Sequence, residues 1–153
     1  MAVATIWLAA LSVTSGLGAL LDVVTRKLPN WLSLLMLVGG LGFGFALNGW
    51  TGLGLHFLHA VLALGLGYLL FIWGVFGGGD GKFYAACAAF FPVTEMLWHF
   101  VIITFAGLIL AIIWFTAKRG FGLHKRKKDD FAKLPYGVAI ASGSVALALY
   151  GMQ

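Results

Sequence analysis

WLSLLMLVGGLGFGFALNGWTGLGLHFLHAVLALGLGYLLFIWGVF, residues Trp31 to Phe76, runs for 46 residues without a Lys, Arg, Asp or Glu. At 1.5 Å of rise per residue a single helix of that length would be about 69 Å long, roughly twice the ~30 Å hydrocarbon core of a bilayer. The stretch therefore reads as two membrane helices, over residues 31–48 and 53–76. Asn48-Gly49-Trp50-Thr51-Gly52 divides them, combining turn formers with a tryptophan suited to the membrane interface. Gly40 and Gly44 stand at GxxxG spacing, which predicts close helix packing.

Composition extends this reading to the whole chain. Of 153 residues, 61% are hydrophobic and 10% charged, with a mean hydropathy of +1.00, which excludes an ordinary soluble domain. The 22 glycines suit helices packed backbone to backbone. The net charge of +5 comes from cations beside apolar spans, so it reads as membrane topology, with no nucleic-acid partner. One cysteine, Cys87, lies in an apolar segment and reads as packing.

Before the opening stretch, residues 2–24 form a first helix ending near Asp22, and Met1 to Trp7 lacks the basic residues of a signal peptide. Thr25-Arg26-Lys27-Leu28-Pro29-Asn30 follows. Two cations and a proline stop the helix, and Asn30 is expected to cap the next one. After it, residues 83–116 divide into a short helix (82–91), a turn at Pro92-Val93-Thr94-Glu95 and a full helix (96–117). Charge selects this division. Seven of the ten basic residues, Lys118, Arg119, Lys125, Arg126, Lys127, Lys128 and Lys133, lie beyond it, and the split puts them on the same side as Arg26, Lys27 and Lys82, as the positive-inside rule requires. A last helix covers 135–152. The expectation is one transmembrane domain over residues 1–153: an all-α bundle of six helices, both termini outside (periplasmic), catalytic loops cytoplasmic.

Under this topology Asp22 and Asp80 meet the same cytoplasmic interface. Asp80 closes the run Gly77-Gly78-Gly79-Asp80, where glycines let backbone and substrate approach. A carboxylate beside hydrocarbon is costly to keep charged and marks a functional site. Two of them in one partly dehydrated site share a proton. The ionised member then takes a proton from water attacking a peptide carbonyl while its partner protonates the carbonyl oxygen. The plain alternative is that Asp22 is an interfacial residue paired with Arg26.

Three motifs carry a resemblance. Asp22 with Thr25-Arg26-x-Leu28-Pro29-Asn30, then Gly77-Gly78-Gly79-Asp80-Gly81-Lys82, then Leu134-Pro135-Tyr136-Gly137-Val138-Ala139-Ile140, together resemble the membrane core of the type IV prepilin peptidases, GxGD-type intramembrane aspartic proteases. The resemblance implies that Asp22 and Asp80 are the catalytic pair, in a bacterial inner membrane. It implies prepilins inserted in the bilayer as substrates, cut at the cytoplasmic face just before their hydrophobic helix. Family members that also methylate the new N-terminus carry an additional region with paired cysteines. This chain resembles instead the short peptidases dedicated to Flp, or tight-adherence, pili, and no methyltransferase activity is expected.

Arg26, Pro29, Asn30, Gly77, Gly78, Gly79 and Lys82 are the expected motif and substrate-approach residues, with Lys82 either holding a substrate carboxylate or anchoring topology. No cofactor is expected. His56 and His59, with Glu95 and His99 on the outer side, have spacing that can bind a metal, but no metal is expected, because single histidines at interfaces are common and nothing in the sequence brings these together. The run His124 to Asp130 reads as a solvated loop that meets anionic headgroups. Two other functions fit the composition: a small proton-coupled transporter, which predicts carboxylates near the bilayer midplane and an internal repeat, and a non-catalytic assembly factor of a pilus or secretion system, which would tolerate loss of either Asp.

Overall fold

The computed structural model describes residues 2–120 and 134–151. Its helices are α1 (Ala2–Thr25), α2 (Asn30–Ile72), α3 (Gly78–Ala88), α4 (Met96–Gly120) and α5 (Tyr136–Tyr150), with a 3-10 turn at Val93–Glu95 before α4. No strand occurs among the described residues. Thr5–Thr25, Asn30–Ile72 and Val93–Ala117 are each long and apolar enough to cross a membrane.

α2 is continuous in sequence but not in direction. Asn48 (φ −135°, ψ 22°) and Gly49 (φ 58°, ψ −141°) leave helical geometry. Eight residues of straight helix would hold Gly44 and Gly52 about 12 Å apart, yet a side chain at Gly52 would strike the Gly44 carbonyl. The helix therefore folds back on itself. A positive φ is tolerated best by glycine, so Gly49 supplies the reversal. The expected turn is in the right place but tighter than expected: Trp50, Thr51 and Gly52 are already helical. The second arm also stops at Ile72 rather than at 76. Gly74 adopts φ +75°, its N–H meets the Phe71 carbonyl at 3.0 Å, and the Val75 N–H meets Leu70 at 2.9 Å. These are the paired bonds of a Schellman end.

The short helix expected over 82–91 begins at Gly78 and ends at Ala88, so Asp80 sits in its first turn instead of in a loop before it. Two contacts reward helix formation in this glycine run. A Cβ on Gly79 would lie 3.3 Å from Leu28, and one on Gly67 would lie 2.7 Å from the Gly81 backbone. Glycine is a poor helix former in isolation, and close tertiary approach overrides that propensity here. Gly40 behaves the same way, since its Cβ would stand 2.6 Å from the Ala89 backbone. α3 is thereby enclosed: Phe83, Tyr84, Ala86, Cys87 and Ala88 are each 1% exposed or less. They form the core with Leu11, Leu32, Met36 and Ile140. The burial of Cys87 agrees with a packing role.

α5 packs against α1, α3 and α4, and small residues allow it. A Cβ on Gly143 would lie 2.7 Å from Ile103 of α4. Trp31, Trp50 and Trp98, expected as interfacial anchors near helix ends, are 58%, 78% and 63% exposed. The basic stretch from Lys125 to Lys133, and with it the His124 to Asp130 run, lies outside the described residues.

Candidate active site

Along α1 the buried positions Leu11, Ser15, Gly18 and Asp22 recur at steps of four, three and four. That spacing is one stripe of an α-helix. Asp22 thus continues an interior-facing row and is only 7% exposed. Its Oδ2 accepts the Gly137 N–H at 2.8 Å. Gly137 is in the first turn of α5, where N–H groups lack helical acceptors and the helix dipole favours negative charge. A side chain there would collide with the carboxylate, because a Cβ on Gly137 would lie 2.8 Å from Oδ2 and 2.9 Å from the Asp22 Cβ.

Asp80 is built by a similar device. Its Oδ2 accepts the Gly77 N–H at 2.8 Å, while its own N–H donates to the Gly77 carbonyl at 3.0 Å. The carboxylate closes the return half of a capping box, with a glycine that offers only backbone. Asp80 lies outside the long apolar spans and is half-buried. Burial pushes its carboxyl up to about 6, opposed by the Gly77 N–H and reinforced by the negative charge of Asp22. The two aspartates therefore lie in one electrostatic neighbourhood.

Three linkers gather at this end of the bundle. Phe76, just before Gly77, and Tyr136, just before Gly137, bring their rings to 5.2 Å. Leu28 lies on Gly79. The expected role of Asn30 as a helix cap is corrected: Pro29 occupies the cap position of α2, no side chain caps it, and Asn30 is the first helical residue. The Asn30 side chain is used elsewhere, accepting Lys82 Nζ at 3.1 Å. Arg26 closes α1 with φ 56° and its N–H on the Asp22 carbonyl at 3.0 Å. Its guanidinium lies 5.2 Å from the Trp114 ring centroid, a cation–π distance, and acts electrostatically on Asp22. All nine motif residues singled out in the sequence, from Asp22 to Lys82, thus belong to this one end or to the turns that form it.

The histidines belong elsewhere. His56 Nδ1 faces the Ala89 carbonyl at 2.9 Å, His59 Nδ1 faces Phe91 at 3.1 Å, and His99 Nε2 meets Ser144 Oγ at 2.9 Å. His59 and His99 stack edge to face at 5.3 Å. Among the described residues no three His, Cys, Asp or Glu side chains form a group able to hold a metal ion, so His56, His59, Glu95 and His99 are not assembled into one. Gly137 is the residue that reading the sequence did not single out as a site. Its signals are membership of the Leu134-Pro135-Tyr136-Gly137 motif and a glycine two positions after Pro135, at a helix start.

An apolar groove of about 390 Å³ opens between α4 and α5, with Ile102, Phe105, Ile113, Val138, Ser142 and Ala146 in its walls. Val138 directly follows the residue that holds Asp22.

Comparison with known proteins gives one finding. No curated protein and no solved structure matches the chain. The sequence model of the Type IV leader peptidase family matches residues 2–115, which takes in α1, α2, α3 and nearly all of α4 together with both aspartates. On that match, this chain belongs to the type IV leader peptidase family.

Proposed function

We propose that the protein is a membrane-embedded aspartic endopeptidase that removes the leader of prepilins at the cytoplasmic face, with Asp22 and Asp80 as its catalytic pair. The observation that carries this reading is that two carboxylates from different helices each commit Oδ2 to a backbone N–H at 2.8 Å, with the charge of Asp22 acting on Asp80. Anchored in this way, each is held in one orientation, and Oδ1 is the oxygen that acts on water or carbonyl.

The environments divide the roles. Asp22 meets the N-terminus of α5 through the Gly137 N–H, a setting that suits a negative charge, and is assigned the part of the base that removes a proton from the attacking water. Asp80, raised to about 6, is the member that protonates the peptide carbonyl oxygen. The roles exchange as the leaving amine takes its proton. A prepilin reaches the pair from the side, its apolar helix in the lipid and its scissile peptide at the interface. The groove that begins at Val138 offers an apolar face along that route.

The finer assignments rest on the same reading. Six membrane segments with both termini outside make every Lys and Arg cytoplasmic. The two arms of α2 count separately, and short α3 is enclosed by the rest with Asp80 at its cytoplasmic mouth. The membrane is the bacterial inner membrane and the substrates are Flp-type prepilins. Cleavage proceeds without methyl transfer, a reading supported by the resemblance to the short Flp-type peptidases.

A cleavage assay tests the proposal. Protein in liposomes is mixed with a short prepilin, and wild type, Asp22→Asn and Asp80→Asn are compared by product mass. Cleavage by wild type alone is the expected result. Cleavage by either variant at the wild-type rate removes that aspartate from the mechanism, and a folded wild type that cuts none of several prepilins overturns the reading.

A further inference from the structure

Deep in the bundle, three polar side chains each carry one buried atom with no hydrogen-bond partner in the protein: His59 Nε2, His99 Nδ1 and Tyr84 Oη. His59 and His99 are 0% exposed and Tyr84 is 1% exposed. Buried polar atoms in folded proteins are almost always paired, so three orphans in one cluster point to a ligand.

The neighbours define what each atom offers. A carbonyl only accepts, so His59 Nδ1, 3.1 Å from the Phe91 carbonyl, carries the proton and Nε2 presents a lone pair. Ser144 has a single hydroxyl proton and donates it to the Ile140 carbonyl at 2.7 Å. It therefore accepts at 2.9 Å from His99 Nε2–H, which leaves His99 Nδ1 as a second lone pair. Tyr84 brings an O–H donor. The cluster is two acceptors and one donor, and two acceptors cannot bond each other.

We infer that His59 Nε2, His99 Nδ1 and Tyr84 Oη share one buried water where the second arm of α2, α3 and α4 meet. Water accepts one hydrogen bond from the phenol and donates one to each imidazole, which matches the three orphans atom for atom. His99 stands in ring contact with both of the others, its centroid 5.3 Å from that of His59 and 5.5 Å from that of Tyr84, so the three side chains are neighbours. A metal cation fits less well. No group of three His, Cys, Asp or Glu ligands exists among the described residues, and a cation held by neutral side chains in an apolar interior carries a large desolvation cost. Through Ser144 the same network reaches α5, so one water ties four helices together about two turns along α5 from Gly137.

Nitrogen NMR of 15N-histidine-labelled full-length protein in micelles tests this. The expected spectrum has opposite neutral tautomers, Nδ1–H for His59 and Nε2–H for His99, each bare nitrogen hydrogen-bonded, with a cross-peak from one long-lived water to both rings. The isosteric variant Tyr84→Phe keeps both tautomers and shortens the residence of that water. Several results overturn the proposal. They are a His59 proton on Nε2; a His99 proton on Nδ1; rings without a water contact; and ring shifts that follow added Zn²⁺ or its chelation, which assign the site to a cation.

Discussion

Replacing Asp80 by Asn separates the cost of a buried carboxyl from its use. Burial raises the Asp80 pKa from the usual 3.8 to about 6. A shift of about two units corresponds to about 3 kcal/mol, and solvent screening of a half-buried group lowers this to about 2–3 kcal/mol. The sign follows from proton counting. Between pH 3.8 and 6 the native state keeps a proton that the unfolded chain has released, so rising pH destabilises the native state across that window. Asn does not ionise, and its carbonyl can accept the Gly77 N–H in place of the carboxylate. Wild type and Asp80→Asn should therefore be equally stable below pH 4. Above pH 7 the variant should be more stable by about 2–3 kcal/mol, seen as a Tm about 5–10 °C higher in a chain of this size. Thermal scans of both proteins in one detergent from pH 4 to pH 7.5 make the measurement. Curves that fall in parallel would show that burial does not raise the Asp80 pKa, and the proposed division between acid and base would fail with it. A stable but inactive variant is the expected signature of a group kept for chemistry at a cost in stability.

Other substitutions probe the same frame. Gly137→Ala puts a Cβ 2.8 Å from Asp22 Oδ2; prepilin cleavage should fall more than ~10-fold, a loss of over ~1.4 kcal/mol in the transition state, while circular dichroism keeps the wild-type helix content. Gly40→Val drives a side chain into the Ala89 backbone, and overpacking of this kind costs about 1–3 kcal/mol, which a Tm comparison detects. Lys82→Ala removes an exposed hydrogen bond to Asn30; stability should change by less than about 0.5 kcal/mol, so any large loss of cleavage rate would mark Lys82 as a residue that meets substrate. Cleavage rate against pH should decline on the alkaline side as Asp80 loses its proton, whereas Asp80→Glu should move that limb if the assigned acid is correct.

The charge-free run from Trp31 to Phe76 established a helical membrane protein with no help from structure, because backbone in hydrocarbon must satisfy its own hydrogen bonds and helices are the direct way to do so. It also marked the reversal within Asn48-Gly49-Trp50-Thr51-Gly52, which combines turn formers with a tryptophan suited to the interface. Asp22 and Asp80 were legible for a comparable reason: carboxylates are rare beside apolar spans and stand out by cost. What the sequence did not determine was how those groups are held. The pattern leaves Asp80 between helices expected over 53–76 and 82–91, but the Gly67–Gly81 and Leu28–Gly79 approaches make that run helical. Asn30 had the residue type of a cap and became a partner of Lys82. Gly137 carries no chemistry of its own, and only packing brings its N–H across 115 residues of chain to Asp22. Local sequence sets what each residue costs to bury and which turns it permits; the partner that offsets that cost comes from another helix, and only the tertiary fold decides which one.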